Sequence, residues 1–242
     1  MTPEQTARYR SKAATCAAAW QQTLGEAPTR HALILAMAVA DLETGLGNIR
    51  GHNWGSVHKR TLNEVEASVL LGHGIYPTGN DALAAARGLL ASTQAADELL
   101  VIDASPIGPY FVWIWSFTSD LDAASKFLSI LVGNRPPVRA IIDSATPAAL
   151  SAAMYGTHYY EGTSKNPAEN VRAYARRIEA CAARIESALR GWPEGSVGGA
   201  TPGATLPPGV PPAFEAKRAG LGWWVAGIAA LGFGIVLYGR RA

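Results

Sequence analysis

The chain has 242 residues, of which 48% are hydrophobic and 17% charged, with a formal net charge of +2 at pH 7. That length holds one good-sized core with a tail, or two small domains, and the near-balanced charge gives no reason to expect a nucleic-acid partner. Two cysteines, Cys16 and Cys181, have no spacing that suggests a metal or redox motif, and their pairing is left open.

The first residues carry charges at Glu4, Arg8, Arg10 and Lys12 and no long apolar run, so a secretory signal is not expected there. Residues 3–24 are predicted helical, with Thr2 as N-cap and Pro3 at the first helical position. A second helix is predicted over 29–44, closed by Gly45, which accepts the left-handed backbone that ends a helix. Ala32, Leu33, Ile34, Leu35, Met37, Val39 and Leu42 surround its axis, which predicts a central, buried helix. Glycines at 45, 47, 51 and 55 and turn formers over 73–80 predict loops with at most short strands from 45 to 80. Helices are expected again over 81–90, 94–99, 120–132, 136–143, 147–154 and 166–189, with little β structure and no internal repeat. The arginines at 172, 176, 177, 184 and 190 put a basic, solvated face on the last of these.

After Trp192 the composition changes. Residues 193–216 are rich in Pro, Gly, Ala and Thr and lack apolar periodicity, so they read as a linker after a mainly α domain over 1–192. Residues 221–238 then run without a charge, and at ~1.5 Å per residue they cover about 27 Å, close to the hydrocarbon thickness of a bilayer. Lys217 and Arg218 precede the run, Arg240 and Arg241 follow it, and Trp223, Trp224 and Tyr238 lie where interfacial aromatics are expected. Residues 217–242 are therefore expected to form a single-pass membrane anchor of undecided orientation, a buried C-terminal helix being the alternative.

The chemistry concentrates at the end of the second helix. Glu43 stands in its last turn, ahead of Gly45 and Gly47, where the helix dipole and apolar neighbours both oppose a negative charge. A carboxyl so placed keeps its proton towards neutral pH and can act as the general acid that glycoside cleavage requires. The Asn53-Trp54-Gly55 loop that follows provides an amide and an aromatic surface, which suit a sugar with an N-acetyl arm.

Glu43-Thr44-Gly45 followed by His52-Asn53-Trp54-Gly55-Ser56-Val57 resembles the Glu-Ser/Thr-Gly and Asn-Asn/Trp-Phe/Trp-Gly-Asn-Ile pattern of lysozyme-like peptidoglycan hydrolases, in particular autolysin- and flagellar-type glucosaminidases and their lytic transglycosylase relatives. Downstream, 117–124 is similar to that family's capped helix entry, with Ser119 or Asp120 as the cap, and 157–162 followed by 166–178 is similar to its aromatic-pair segment and long helix. His158 stands where the family has glycine, and Ser56 where it has asparagine. The resemblance implies a lysozyme-like fold in which Glu43 is the catalytic acid and Tyr160 or Tyr159 the catalytic-cleft tyrosine. It also implies that Thr44, Asn53, Trp54 and Tyr159 bind the sugar.

For a second carboxylate, Glu64, Glu66, Asp81, Asp97, Glu98 and Asp103 are all candidates, and spacing singles out none. Hydrolysis needs one, whereas a lytic transglycosylase works with a single Glu acting first as acid and then as base; the sequence leans slightly to the latter. Histidines 31, 52, 58, 73 and 158 show no i, i+4 pair around a Glu, so no metal is expected, nor any other cofactor. The expectation is thus a glycan-strand-cleaving enzyme of bacterial peptidoglycan, held on a lipid membrane and fitting a phage virion or bacterial envelope. The rival is a non-catalytic glycan-binding or structural module of such an assembly.

Overall fold

The computed structural model describes residues 1–47, 52–105, 108–160, 162 and 164–192. The expected linker, anchor and apolar run of 221–238 lie outside the described residues. Among those described, no helix is long and apolar enough to cross a membrane.

Local capping accounts for most helix ends. Helix α1 (Pro3–Leu24) opens on a reciprocal pair in which Gln5 N–H donates to Thr2 Oγ1 and Thr2 N–H to Gln5 Oε1, and Gly25 at φ 78° closes it. Helix α2 (Arg30–Thr44) starts from Thr29 and ends on Gly45 at φ 60°. It carries nine buried residues, which makes it the central rod that the sequence predicted. Helix α3 (Glu64–Gly72) falls where only loops and short strands were expected. Its signal was present in the chain: Asn63 accepts from Glu66 N–H while Glu66 Oε2 accepts from Asn63 N–H, the same capping box with Asn in place of Thr. Helix α4 (Asn80–Leu89) follows.

The segment 94–99 is not a helix. It leads into strand β2 (Glu98–Ser105), which pairs antiparallel with β3 (Gly108–Trp115), and β1 (His58–Thr61) completes a sheet in the order β1-β3-β2. Both faces of β3 are covered, which is why it reads as an apolar run rather than an alternation. Phe111 and Trp113 pack with Leu70, Ala86, Leu90 and Leu100 beneath α3 and α4, while Val112 and Ile114 pack with Leu99 on the other face.

Helix α5 (Asp120–Leu128) starts from Ser119 and passes into a π-helical turn, Ser129–Gly133, where one continuous helix was expected. Helices α6 (Pro136–Ile141), α7 (Pro147–Gly156) and α8 (Pro167–Ala188) complete a mainly helical fold. The helical core is built from α1, α2, α5, α7 and α8 around Trp20, Leu33, Met37, Phe127, Leu150 and Ile178. Cys16 and Cys181 are both buried and free, and burial pushes the Cys16 thiol up to about 12.

Candidate active site around Glu43

Glu43 is half-buried at the C-terminal end of α2, beside α8. The turn after it is held by several bonds. Gly45 N–H donates to the carbonyls of Ala40 and Asp41, Arg8 Nη2 donates to the Gly45 carbonyl at 2.5 Å, and Thr44 Oγ1 donates to Ala40 O while accepting from Gly47 N–H. The hydroxyl of Tyr174, a buried residue of α8, donates to Glu43 Oε1. Burial pushes the Glu43 carboxyl above its ordinary range and the negative charge of Asp103 adds to the rise, while the Tyr174 hydroxyl and the Arg177 guanidinium pull the other way. Burial wins, so the carboxyl retains its proton to higher pH than a free glutamate and can hand it to a basic oxygen placed against it.

Tyr159 brings a second hydroxyl to this place. Its hydroxyl is buried without a hydrogen-bond partner among the described residues, and burial together with the nearby Glu43 charge raises its pKa. The guanidinium of Arg135 lies 5.0 Å from the Tyr159 ring centroid, and the π-helical turn ahead of Arg135 supplies the Ile130 carbonyl to which Arg135 donates. On the loop side, the backbone at Gly55 comes so close that a Cβ there would stand 2.4 Å from Phe127 Cδ2 and 3.3 Å from the Tyr159 hydroxyl. Only glycine fits.

The structure redistributes the roles expected of the other residues. Tyr160 does not bond Glu43: its hydroxyl meets Ser151 Oγ at 2.7 Å, and its ring stacks on Tyr174 at 4.0 Å and 11°. Its part is to back the tyrosine that does. Asn53 is fully buried, and its amide is saturated by backbone, Nδ2 donating to the carbonyls of Val57 and Trp115 and Oδ1 accepting from Gly55 and Val57. It shapes the loop and has no atom left for a sugar. Trp54 is also fully buried, its Nε1 donating to Asp120 Oδ1 at 3.2 Å, and Thr44 is buried as well, so neither forms a wall for a ligand. These three correct the expectation, for one reason: in a loop packed against a core, the residues best able to organise backbone are drawn inward. Tyr174, which the resemblance gave only as the tyrosine of the segment expected across the cleft from Glu43, is the residue that meets the carboxyl.

Backbone strain marks the same region. Among the described residues, the non-glycine residues with positive φ are Leu46 (58°), His52 (53°), Ser56 (48°) and His158 (54°). Three flank the turn and loop after Glu43, and the fourth immediately precedes Tyr159. Each costs on the order of 1–3 kcal/mol, and such residues gather where surrounding structure holds a site in place.

In comparison with known proteins, the chain matches no family model, no curated protein and no solved structure.

Proposed function

We propose that this chain cleaves the glycan strands of bacterial peptidoglycan, with Glu43 as the general acid. The observation that carries the proposal is a half-buried carboxyl at a helix C-terminus, hydrogen-bonded by a buried tyrosine and pushed by burial to hold its proton more tightly than a free glutamate. The motif resemblance supports it from a second direction. Ser56 and His158, the two departures from the family pattern, both stand at left-handed positions, where the pattern's asparagine and glycine are the residue types that tolerate this backbone best. The test is digestion of purified sacculi with mass analysis of what is released. Soluble muropeptides are expected from the wild-type chain and not from Glu43→Gln. A wild-type chain that releases none would leave a non-catalytic glycan-binding or structural module.

Tyr174 gives the reading a second handle. Its hydroxyl favours the ionised form of Glu43, so Tyr174→Phe is expected to raise the Glu43 pKa further. An acid works while protonated, so the alkaline limb of the pH profile of kcat/KM should move to higher pH in the variant. A limb that stays in place or moves down would show that Glu43 does not set it.

We further propose that 217–242 tethers the domain to a membrane through the linker, so that cleavage is local, as suits a phage entry or lysis factor. Removing 221–242 is expected to leave a protein that stays in the supernatant of a membrane spin without detergent. Pelleting of the truncated chain with membranes would refute the tether.

A further inference from the structure

Arg60, Arg139, Arg184, Lys12 and Lys59 are each matched by a carboxylate. Three arginines around Glu43 are not: Arg8, Arg135 and Arg177 form no ion pair among the described residues. Arg8, on α1, is exposed and donates through Nη2 to the Gly45 carbonyl at 2.5 Å, two residues beyond Glu43. Arg177 is exposed one turn beyond Tyr174 on α8, and residues three apart share a helix face, so it stands on the face that Tyr174 presents to Glu43. Arg135 lies part-buried over Tyr159, 5.0 Å from the ring centroid. It donates to the Ile130 carbonyl, and its Nε is buried with no partner among the described residues. Tyr159 leads on to Tyr160, whose ring stacks on Tyr174, so the three guanidiniums belong to one neighbourhood.

The acids nearby offer them no counter-charge. Asp41 already holds Arg184 and the Tyr9 hydroxyl, Asp103 meets His58 Nε2 at 2.6 Å, and burial pushes the Glu43 carboxyl towards its neutral form. A guanidinium without a counter-ion is less favourable the more it is buried, and at Arg135 burial opposes the charge most directly. A surface lined by one sign of charge gathers the opposite sign. Arginine, moreover, presents paired N–H donors whose spacing matches the two oxygens of a carboxylate.

We propose that Arg8, Arg135 and Arg177 form an anion-binding rim around Glu43 that takes the carboxylates of peptide stems, so that the substrate is a peptide-bearing glycan strand and not a bare one. The inference rests on the glycan-cleavage reading above and names the substrate class of that same site. The sugar rings of the strand are neutral, so its carboxylates lie on the stems, which branch from the strand that offers its bridging oxygen to Glu43.

The experiment titrates the full chain, in mild detergent and carrying Glu43→Gln so that strands stay intact, with soluble uncrosslinked glycan strands that bear stems. The same strands stripped of stems by an amidase serve for comparison, and both preparations are free of phosphate polymers. Stem-bearing strands are expected to bind about 10-fold or more tightly than stripped ones, and the advantage should shrink in about 0.5 M sodium chloride. Adding Arg8→Gln and Arg177→Gln together, or Arg135→Gln alone, should bring the two affinities to within about threefold of each other. If Arg135→Gln unfolds, the pair at exposed positions still decides the matter. Equal affinity for both strands before the arginines are changed, or an advantage that the exposed pair leaves intact, would overturn the rim. A stem preference that the arginine variants lose, in a chain whose wild type releases no muropeptides from sacculi, would keep the rim and refute cleavage.

Discussion

Replacement of Glu43 by glutamine is expected to lower the rate of glycan cleavage by ~10²- to 10⁴-fold, the range that a positioned general acid contributes. The same substitution should make the protein more stable at neutral pH. In the folded chain burial raises the Glu43 pKa above the ~4.3 of an unfolded glutamate, so the native state holds the proton more tightly. Its contribution to stability is then fully present below about pH 4 and is lost as pH rises through the folded value, because the ionised carboxylate must stay half-buried. Glutamine never ionises, and its side-chain oxygen can still accept from Tyr174. The variant's melting temperature should thus exceed that of the wild type at pH 7 and converge with it near pH 4, as scanning calorimetry would read. A neutral-pH melting temperature below that of the wild type would mean that the carboxylate is stabilising where it stands, which a carboxyl whose ionisation burial opposes cannot be. Gain of stability on loss of a functional group is the usual mark of a site held in a costly state.

The largest stability effect is expected in the sheet lobe, at Arg60. Its guanidinium donates to both Glu66 oxygens at 2.7 and 2.9 Å and to both Glu98 oxygens at 2.8 and 3.0 Å, and lies 5.1 Å from the Trp113 ring centroid. Glu66 is fully buried and Glu98 nearly so. Burial opposes ionisation of Glu66, but the bonds from Arg60 and from Asn63 N–H outweigh it and hold the carboxyl at about 2. One cation thus ties β1 to α3 and β2. Arg60→Ala leaves buried Glu66 without a cation and Glu98 with Lys59 alone, and the expected loss is about 3 kcal/mol at pH 7 by urea denaturation. The sign of the pH dependence follows from the depressed Glu66 pKa. The wild type has the benefit of the pair above ~4.3 and loses it as pH falls towards 2. The gap between wild type and variant should therefore narrow in acid, as the stranded carboxyls of the variant protonate and cease to be buried charges. A loss under about 1 kcal/mol at neutral pH would show that water reaches both glutamates and that the pair is a surface contact.

The two lobes meet different needs. The helical core carries Glu43 and Tyr174 on rods that many buried residues hold in place, as the proposed role of Glu43 as proton donor would require. The sheet lobe is smaller and is locked by Arg60. In the loop at 52–56 Trp54 is buried on Asp120 and Asn53 ties the backbone to Val57 and Trp115. Lys12 completes that anchor by donating to the second oxygen of Asp120 at 2.5 Å.

What was legible in the chain alone was whatever depends on neighbours in sequence. Thr2, Thr29, Ser119, Thr146 and Asn166 accept from backbone N–H groups two or three residues ahead, and Gly45 turns left-handed because it has no Cβ, so helix starts and the end of α2 could be placed. The same locality places Glu43 in the last turn of an apolar helix. What only the tertiary structure decided depends on partners far away. Residues 94–99 are composed like a helix, yet β2 begins at Glu98 because pairing with β3 satisfies its backbone and buries Leu99 and Leu100 on two faces. The partner of Glu43 is Tyr174 rather than Tyr160, 131 residues distant, since the crossing of α2 and α8 chooses which ring stands over the carboxyl. Asn53 and Trp54 turn inward for the same reason. A side chain's direction and surroundings are set by what packs against its element, and no local spacing encodes that.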